Sequence, residues 1–188
     1  MRSWHWLCLL ALSPMAWAST PPPVGIDTQR SVIGFEIRTR YGQRLSGRFP
    51  VFNGQLLTLP DGQHQVVLDI DARHAQMEGP SRYTRWLLGE DFFDVARHPQ
   101  IVFRSRPHPA GLPQHGGAVG GELTLRGHTG PIQMHVDSAE CGAPGYDCPV
   151  SGRGTVSRTA YGMDGWQLVV GDRVTFLLQI RLDGPGPS

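Results

Sequence analysis

The sequence predicts an all-β fold, an antiparallel barrel of about eight strands with one short helix, on three observations. Apolar and polar residues alternate with period two in segment after segment from Ser31 onward. Turn-forming residues punctuate those segments, and a single stretch carries a helical pattern.

Each strand has one apolar side. Ile33, Phe35 and Ile37 alternate with Gly34, Glu36 and Arg38, and Val66, Leu68, Ile70 and Ala72 with Asp69, Asp71 and Arg73, only Val67 breaking the rule. Ile101 and Phe103 oppose Arg104 and Arg106. Leu123 and Leu125 oppose Glu122, Thr124 and Arg126, and Ile132, Met134 and Val136 oppose Gln133, His135 and Asp137. Val174, Phe176, Leu178, Ile180 and Leu182 face away from Arg173, Thr175, Gln179 and Arg181. Turns are expected at Asn53-Gly54, which reads as a hairpin between residues 49–52 and 55–59, at Asp61-Gly62, and over residues 127–130. Residues 80–88 read as the helix, with Pro80 in its first turn, Gly89 just past its end, and Tyr83, Trp86 and Leu87 on one face. A sheet of this many short antiparallel strands hides its edges by closing on itself.

The ends read differently. Residues 1–18 have the form of a cleaved export signal: Met1-Arg2, an apolar run over residues 6–12, and the small-x-small site Ala16-Trp17-Ala18. That run is broken by Ser13-Pro14 and falls short of the ~20 residues a spanning helix needs. We expect a linker over residues 19–26, one domain over residues 27–183, and a flexible tail over residues 184–188. Cys141 and Cys148 bracket a Gly- and Pro-rich stretch, and an even pair in an exported chain reads as a disulfide closing a short loop.

Several function classes drop out. A net charge of +1 gives no pull toward nucleic acid. All 17 basic residues are arginine, so neither a Schiff-base lysine nor a phosphate-loop lysine exists. No Ser-His-Asp order, His-Glu-x-x-His or Gly-x-Ser-x-Gly is present, and no metal-ligand spacing stands out. Asp91 and Asp94 are a carboxylate pair, which keeps a hydrolase as an alternative, but aspartates bracketing aromatics at a helix exit more often stabilise turns. The histidines His64, His74, His108, His115, His128 and His135 read as surface residues of loops and polar strand faces.

Four stretches resemble the YceI-like family of periplasmic, lipocalin-like barrels that bind polyisoprenoids and related long-chain lipids. They are Phe35-x-Ile37 running to Gly47-x-Phe49 and Phe52-x-Gly54; Leu87-x-x-x-Asp91-Phe92-Phe93-Asp94 with Pro99-x-Ile101-x-Phe103; Gly121-x-Leu123-Thr124-Leu125-Arg126-Gly127; and Arg158-x-x-Tyr161-Gly162-Met163. The resemblance covers roughly residues 27–183, with the four stretches in the family's order. The resemblance implies a periplasmic binding protein, not an enzyme, with no cofactor other than a bound isoprenoid lipid, quinone or fatty-acid-like chain. Thr39, Thr84 and Trp86 stand where the family usually has a histidine on the first strand and an Asp-x-His pair on the helix, so the ligand's head group does not carry over. A bulky Trp86 is also expected to shorten the cavity.

A barrel of this size either fills itself with side chains or holds one slim ligand. The inward set mixes the rings of Phe35, Phe49, Phe103 and Phe176 with Gly47, Ala72 and Gly121, a mixture that suits an elongated cavity, although a packed core uses the same residues. The expected lining is Phe35, Ile37, Phe49, Leu68, Ile70, Trp86, Leu87, Phe92, Phe103, Leu123, Leu125, Met134 and Phe176. Thr39 and the arginines Arg38, Arg40 and Arg82 are candidates to meet a head group at the mouth. A solid-cored periplasmic interaction or stress-response module is the rival reading, and the choice between monomer and homodimer stays open.

Overall fold

The computed structural model describes residues 21–186, and the expected export signal lies outside the described residues. Eleven strands form one antiparallel sheet: β1 (Val24–Gly25), β2 (Val32–Thr39), β3 (Arg44–Arg48), β4 (Phe52–Thr58), β5 (His64–Asp71), β6 (Gln76–Met77), β7 (Gln100–Ser105), β8 (Gly117–Leu125), β9 (His128–Val136), β10 (Val150–Ser157) and β11 (Val170–Ile180). Their order is β1-β4-β5-β7-β8-β9-β10-β11-β2-β3-β6. The expected strand number is close to what remains once the two-residue β1 and β6 are set aside.

The sheet curls until its first edge meets its own far side. Ile26 bridges Leu182 just beyond β11, while its N–H donates to Gly54 O in β4 at 2.9 Å. Asp27 N–H to Arg181 O and Asp183 N–H to Gly25 O, each 2.9 Å, complete the seam. The edge that would invite another chain is thereby paired internally. Ordered sheet structure thus begins at Val24, within the stretch that the sequence marks as linker.

The period-two pattern is realised in most of the long strands, and β5 departs from it at Val67, which is buried next to Leu68. On β2, Ile33, Phe35 and Ile37 are buried, and on β11 so are Val170, Val174 and Phe176. One turn signal misleads: Asn53-Gly54 lies inside β4, paired with Asp69 and Leu68 of β5, and makes no hairpin. Gly54 is there for room, because a Cβ would stand 2.6 Å from Ile26 Cδ1 and 2.7 Å from Leu68 Cδ2. The reverse turn between β4 and β5 uses Asp61-Gly62, with Gly62 at φ +79°. The β8–β9 turn is tighter than residues 127–130: only Arg126 (φ 52°) and Gly127 (φ 74°) lie outside the strands, both left-handed as a two-residue primed turn requires.

Helix α1 (Ser81–Leu88) begins one residue after Pro80, and Gly89 N–H caps it by donating to Trp86 O at 3.1 Å. A second helical turn, α2 (Leu112–His115), sits in the β7–β8 connection, where the sequence shows too short an apolar period to announce it. Cys141 and Cys148 form a disulfide with Cα atoms 6.2 Å apart. The loop they close is fastened to the barrel where Leu182 N–H donates to Gly145 O (2.8 Å) and Arg181 Nη1 to Tyr146 O (2.8 Å).

The small inward residues do not leave empty space. Phe35 and Gly47 are directly opposed across β2 and β3, and a Cβ on Gly47 would come within 2.2 Å of the Phe35 ring. A Cβ on Gly121 would likewise stand 2.6 Å from the Phe103 ring, and one on Gly154 would collide with the Met134 sulfur. The expectation that Gly47 and Gly121 open a cavity is therefore corrected: each is the seat of a ring.

Two outcomes follow for stability. Gly47→Val should cost about 1–3 kcal/mol through overpacking, read as a lower urea midpoint with unchanged slope. Replacing both Cys141 and Cys148 by serine should cost about 2 kcal/mol, read by the same unfolding curves, because a short loop is then freed in the unfolded chain.

Candidate binding hollows

The interior is divided. Phe35, Phe49 and Phe93 form a ring triangle, with centroids 5.0 Å (Phe35–Phe49), 5.9 Å (Phe35–Phe93) and 5.7 Å (Phe49–Phe93) apart, and Phe176 stacks on Phe49 at 6.4 Å. Strand β11 shows what this does along the barrel. Val170 and Val174 line one hollow, Phe176 lines none, and Leu178 and Ile180 line a second. No residue is shared by the two walls.

The first hollow, about 180 Å³, lies under α1 at the end where β2 turns into β3. Phe35, Ile37, Leu87, Phe92 and Phe93 form its apolar wall, and Tyr83, Trp86 and Trp166 its rim. Trp86 is 42% exposed and lies 5.5 Å from the Tyr83 ring and 5.1 Å from the Trp166 ring, a cover over the opening. Among the described residues, one charge faces this hollow. Arg158, 1% exposed, donates from Nε to Gly171 O (3.0 Å), from Nη2 to Val170 O (3.3 Å) and from Nη1 to Met163 O, and its guanidinium lies over Phe92 at 5.9 Å. None of the ion pairs among the described residues includes it. Burial draws its pKa below the ordinary value, opposed by the charges of Asp172 and Asp164.

The second hollow, about 520 Å³, opens at the opposite end. Leu68, Phe103, Val119, Met134 and Leu178 line its depth. The disulfide loop contributes Ala143, Pro144 and Tyr146, and α2 contributes Leu112. Among the described residues, no Asp, Glu or Arg belongs to its wall, whose titratable side chains other than Tyr146 are His64 and His108. These two exchange backbone hydrogen bonds, His64 N–H to His108 O at 2.8 Å and His108 N–H to His64 O at 2.9 Å, and their rings meet edge to face at 6.4 Å. Burial pushes both pKa values below the ordinary 6.5, and each ring's charge would oppose the other's at His64.

The sequence-derived lining therefore scatters. Phe35, Ile37, Trp86, Leu87, Phe92 and Thr39 stand at the first hollow, and Leu68, Phe103 and Met134 at the second. Phe49, Ile70, Leu123, Leu125 and Phe176 line neither hollow, and all five are buried. Of the head-group candidates, Thr39 uses its hydroxyl to accept from Gln43 N–H at 3.1 Å, Arg40 donates to Gln167 O at 2.6 Å, and Arg82 lies over the Tyr83 ring at 5.2 Å. Arg38 and Arg82 are exposed.

Arg158, His64 and His108 were not among the site residues expected from sequence. Two of them carried a signal: His64 has the inward parity of Val66, Leu68 and Ile70, and Arg158 that of Gly154 and Val156. His108, between Pro107 and Pro109, had none. The surface reading of His64 and His108 is corrected: His108 is 8% exposed and His64 half-buried. Asp91 accepts from Trp166 Nε1 at 3.1 Å. Buried Asp94 pairs with Arg97 Nε at 2.9 Å in a turn of positive φ (49°). Asp94 thus holds a turn, whereas Asp91 ties the segment after α1 to the β10–β11 connection.

The fold and its interior define an antiparallel barrel with an apolar hollow at each of its two ends. The chain belongs to the YceI-like family, whose domain model matches residues 25–182. Among solved structures, BcnA from Burkholderia cenocepacia is similar with a TM-score of 0.66 and 24% identity, over 82% of this chain and 98% of that one. A polyisoprenoid-binding domain from Saccharophagus degradans, implicated in plant cell wall breakdown, aligns with a TM-score of 0.63 at 15% identity, over 85% and 98%. The YceI protein of Campylobacter jejuni aligns with a TM-score of 0.54 at 12% identity, over 96% and 94%. These likenesses show the fold. A search of curated proteins finds no match.

The two depressed histidines set a pH dependence. Between 6.5 and their lower folded values the unfolded chain binds more protons than the folded one, so stability falls as pH falls through that window. Scanning calorimetry should show Tm decreasing from about pH 7 to about pH 5, with a shallower decrease in His108→Leu; parallel curves for the two proteins would contradict the assignment.

Proposed function

We propose that this chain is an exported, periplasmic carrier that holds an apolar molecule of the polyisoprenoid, quinone or fatty-acid class inside its barrel, and that it is not an enzyme. The observation that carries this reading is the 520 Å³ hollow, uncharged and walled mainly by aliphatic side chains, within the ~300–1,000 Å³ range of small-molecule sites. Removing a ligand chain from water is worth about 0.8 kcal/mol per methylene, so a few prenyl units offset the cost of association. Support comes also from family membership and from a solved relative described as a polyisoprenoid-binding domain. The disulfide fits an oxidising compartment, as does an export signal over residues 1–18 with cleavage after Ala18. Among the described residues, no helix is long and apolar enough to cross a membrane.

The ring layer favours one competing idea, a solid-cored interaction module with no ligand. Native mass spectrometry of the protein exported to a periplasm separates the two. The carrier reading expects a co-purifying apolar mass, and Leu178→Trp, which pushes a larger ring into the larger hollow, should lower its occupancy severalfold. A clean apo mass from cells rich in isoprenoids would leave the module.

A further inference from the structure

We infer that the larger hollow selects neutral apolar molecules ending in a hydrogen-bond donor, of the long-chain alcohol class, with the ligand's hydroxyl donating to Nε2 of His108. This inference rests on the carrier reading and specifies the chemistry of its site.

Charge argues first. An ionised head group brought into an apolar hollow loses its hydration and must find a counter-charge or neutralise. The wall of this hollow offers no arginine and no carboxylate. The smaller hollow, with Arg158 in its wall, is the end suited to an anion. The two ends of one barrel thus differ in what they can accept.

Hydrogen bonding narrows the class further. The His108 ring is 8% exposed, and its Nδ1 stands 3.3 Å from Pro109 O, an acceptor, so the ring proton belongs on Nδ1. Nε2 is then a lone-pair acceptor, and it has no partner among the described residues. The neighbouring His64 ring has no hydrogen-bond partner among the described residues either, and burial holds both imidazoles toward the neutral form. A ligand that supplies a donor satisfies His108. An ether or hydrocarbon leaves that acceptor dry, and a carboxylate sets a lone pair against a lone pair unless it first takes up a proton, which at neutral pH costs free energy that an alcohol does not spend.

The test uses the full exported protein, stripped of lipid. Dodecan-1-ol, 1-methoxydodecane and dodecanoate are compared for displacement of the neutral fluorophore N-phenyl-1-naphthylamine. We expect the alcohol to bind about three- to ten-fold more tightly than the ether, the advantage of one hydrogen bond, and dodecanoate more weakly than either. His108→Leu should abolish the alcohol's advantage over the ether. Equal binding of alcohol and ether in the unmodified protein overturns the inference without any need of the variant, as does dodecanoate binding best. An alcohol preference that survives in a folded His108→Leu protein overturns it too. If none of the four compounds binds, or binding is unaffected by Leu178→Trp, the carrier reading of this hollow falls with it.

Discussion

The interior of this barrel is organised by phenylalanine rings lying on glycines. Phe35 occupies the place where a side chain of Gly47 would be, and Phe103 does the same over Gly121. Close packing at these points leaves no slack for even a methyl group. The seated Phe35 ring joins Phe49, Phe93 and Phe176 in a layer across the barrel. Phe93 comes from the segment after α1, so the helix region contributes to the barrel's filling as well as to its cover. From this layer follows the division of the interior into two hollows with no wall residue in common.

The two ends are then built by different means. At the α1 end the β10–β11 connection folds back over the opening, and Arg158 gathers the carbonyls of Met163 in that connection and of Val170 and Gly171 at the start of β11. Each of those charge-assisted bonds satisfies a backbone acceptor, so the same guanidinium that lends a charge to the hollow also fixes the segment bearing Trp166 and Val169. At the far end closure is covalent and strand-based: the Cys141–Cys148 loop rests on Leu182, and residues 24–27 are stitched between β4 and the chain after β11. No buried charge is needed in that construction, which leaves the larger hollow apolar apart from its histidines and a few neutral polar groups.

Strand positions and faces were legible because one-sided burial imposes a period of two, and a slip of one residue would have turned Ile33, Phe35 and Ile37 to water. The glycines were not. Asn53-Gly54 has the composition of a hairpin turn, yet β4 runs through it, because Gly54 meets the demand for space beside Ile26 and Leu68 and needs no positive φ. Composition cannot distinguish a glycine that frees the backbone from one that makes room for a neighbour's ring. The same ambiguity made Gly47 and Gly121 look like gaps. The site was less legible than the fold: a hollow depends on how far rings reach across the barrel, and Phe49 and Phe103 have the same inward parity although only Phe103 reaches a hollow wall. His64 was readable by parity with Val66; His108, set between two prolines, was not.

The ring layer bears directly on how long a ligand can be. An apolar chain lodged in the larger hollow that extends along the barrel axis meets the Phe49–Phe176 stack. Forfeiting the packing of one buried phenylalanine costs about 3–5 kcal/mol, judged from the loss on truncating such a ring. Each further methylene taken out of water returns about 0.8 kcal/mol, so roughly five methylenes beyond the layer offset its displacement. Short chains thus gain nothing by disturbing the rings and stay at one end, whereas a chain with several prenyl units to spare has the free energy to part them. On that balance, and for the carrier proposed above, the layer would set a threshold of length for a guest to span both hollows.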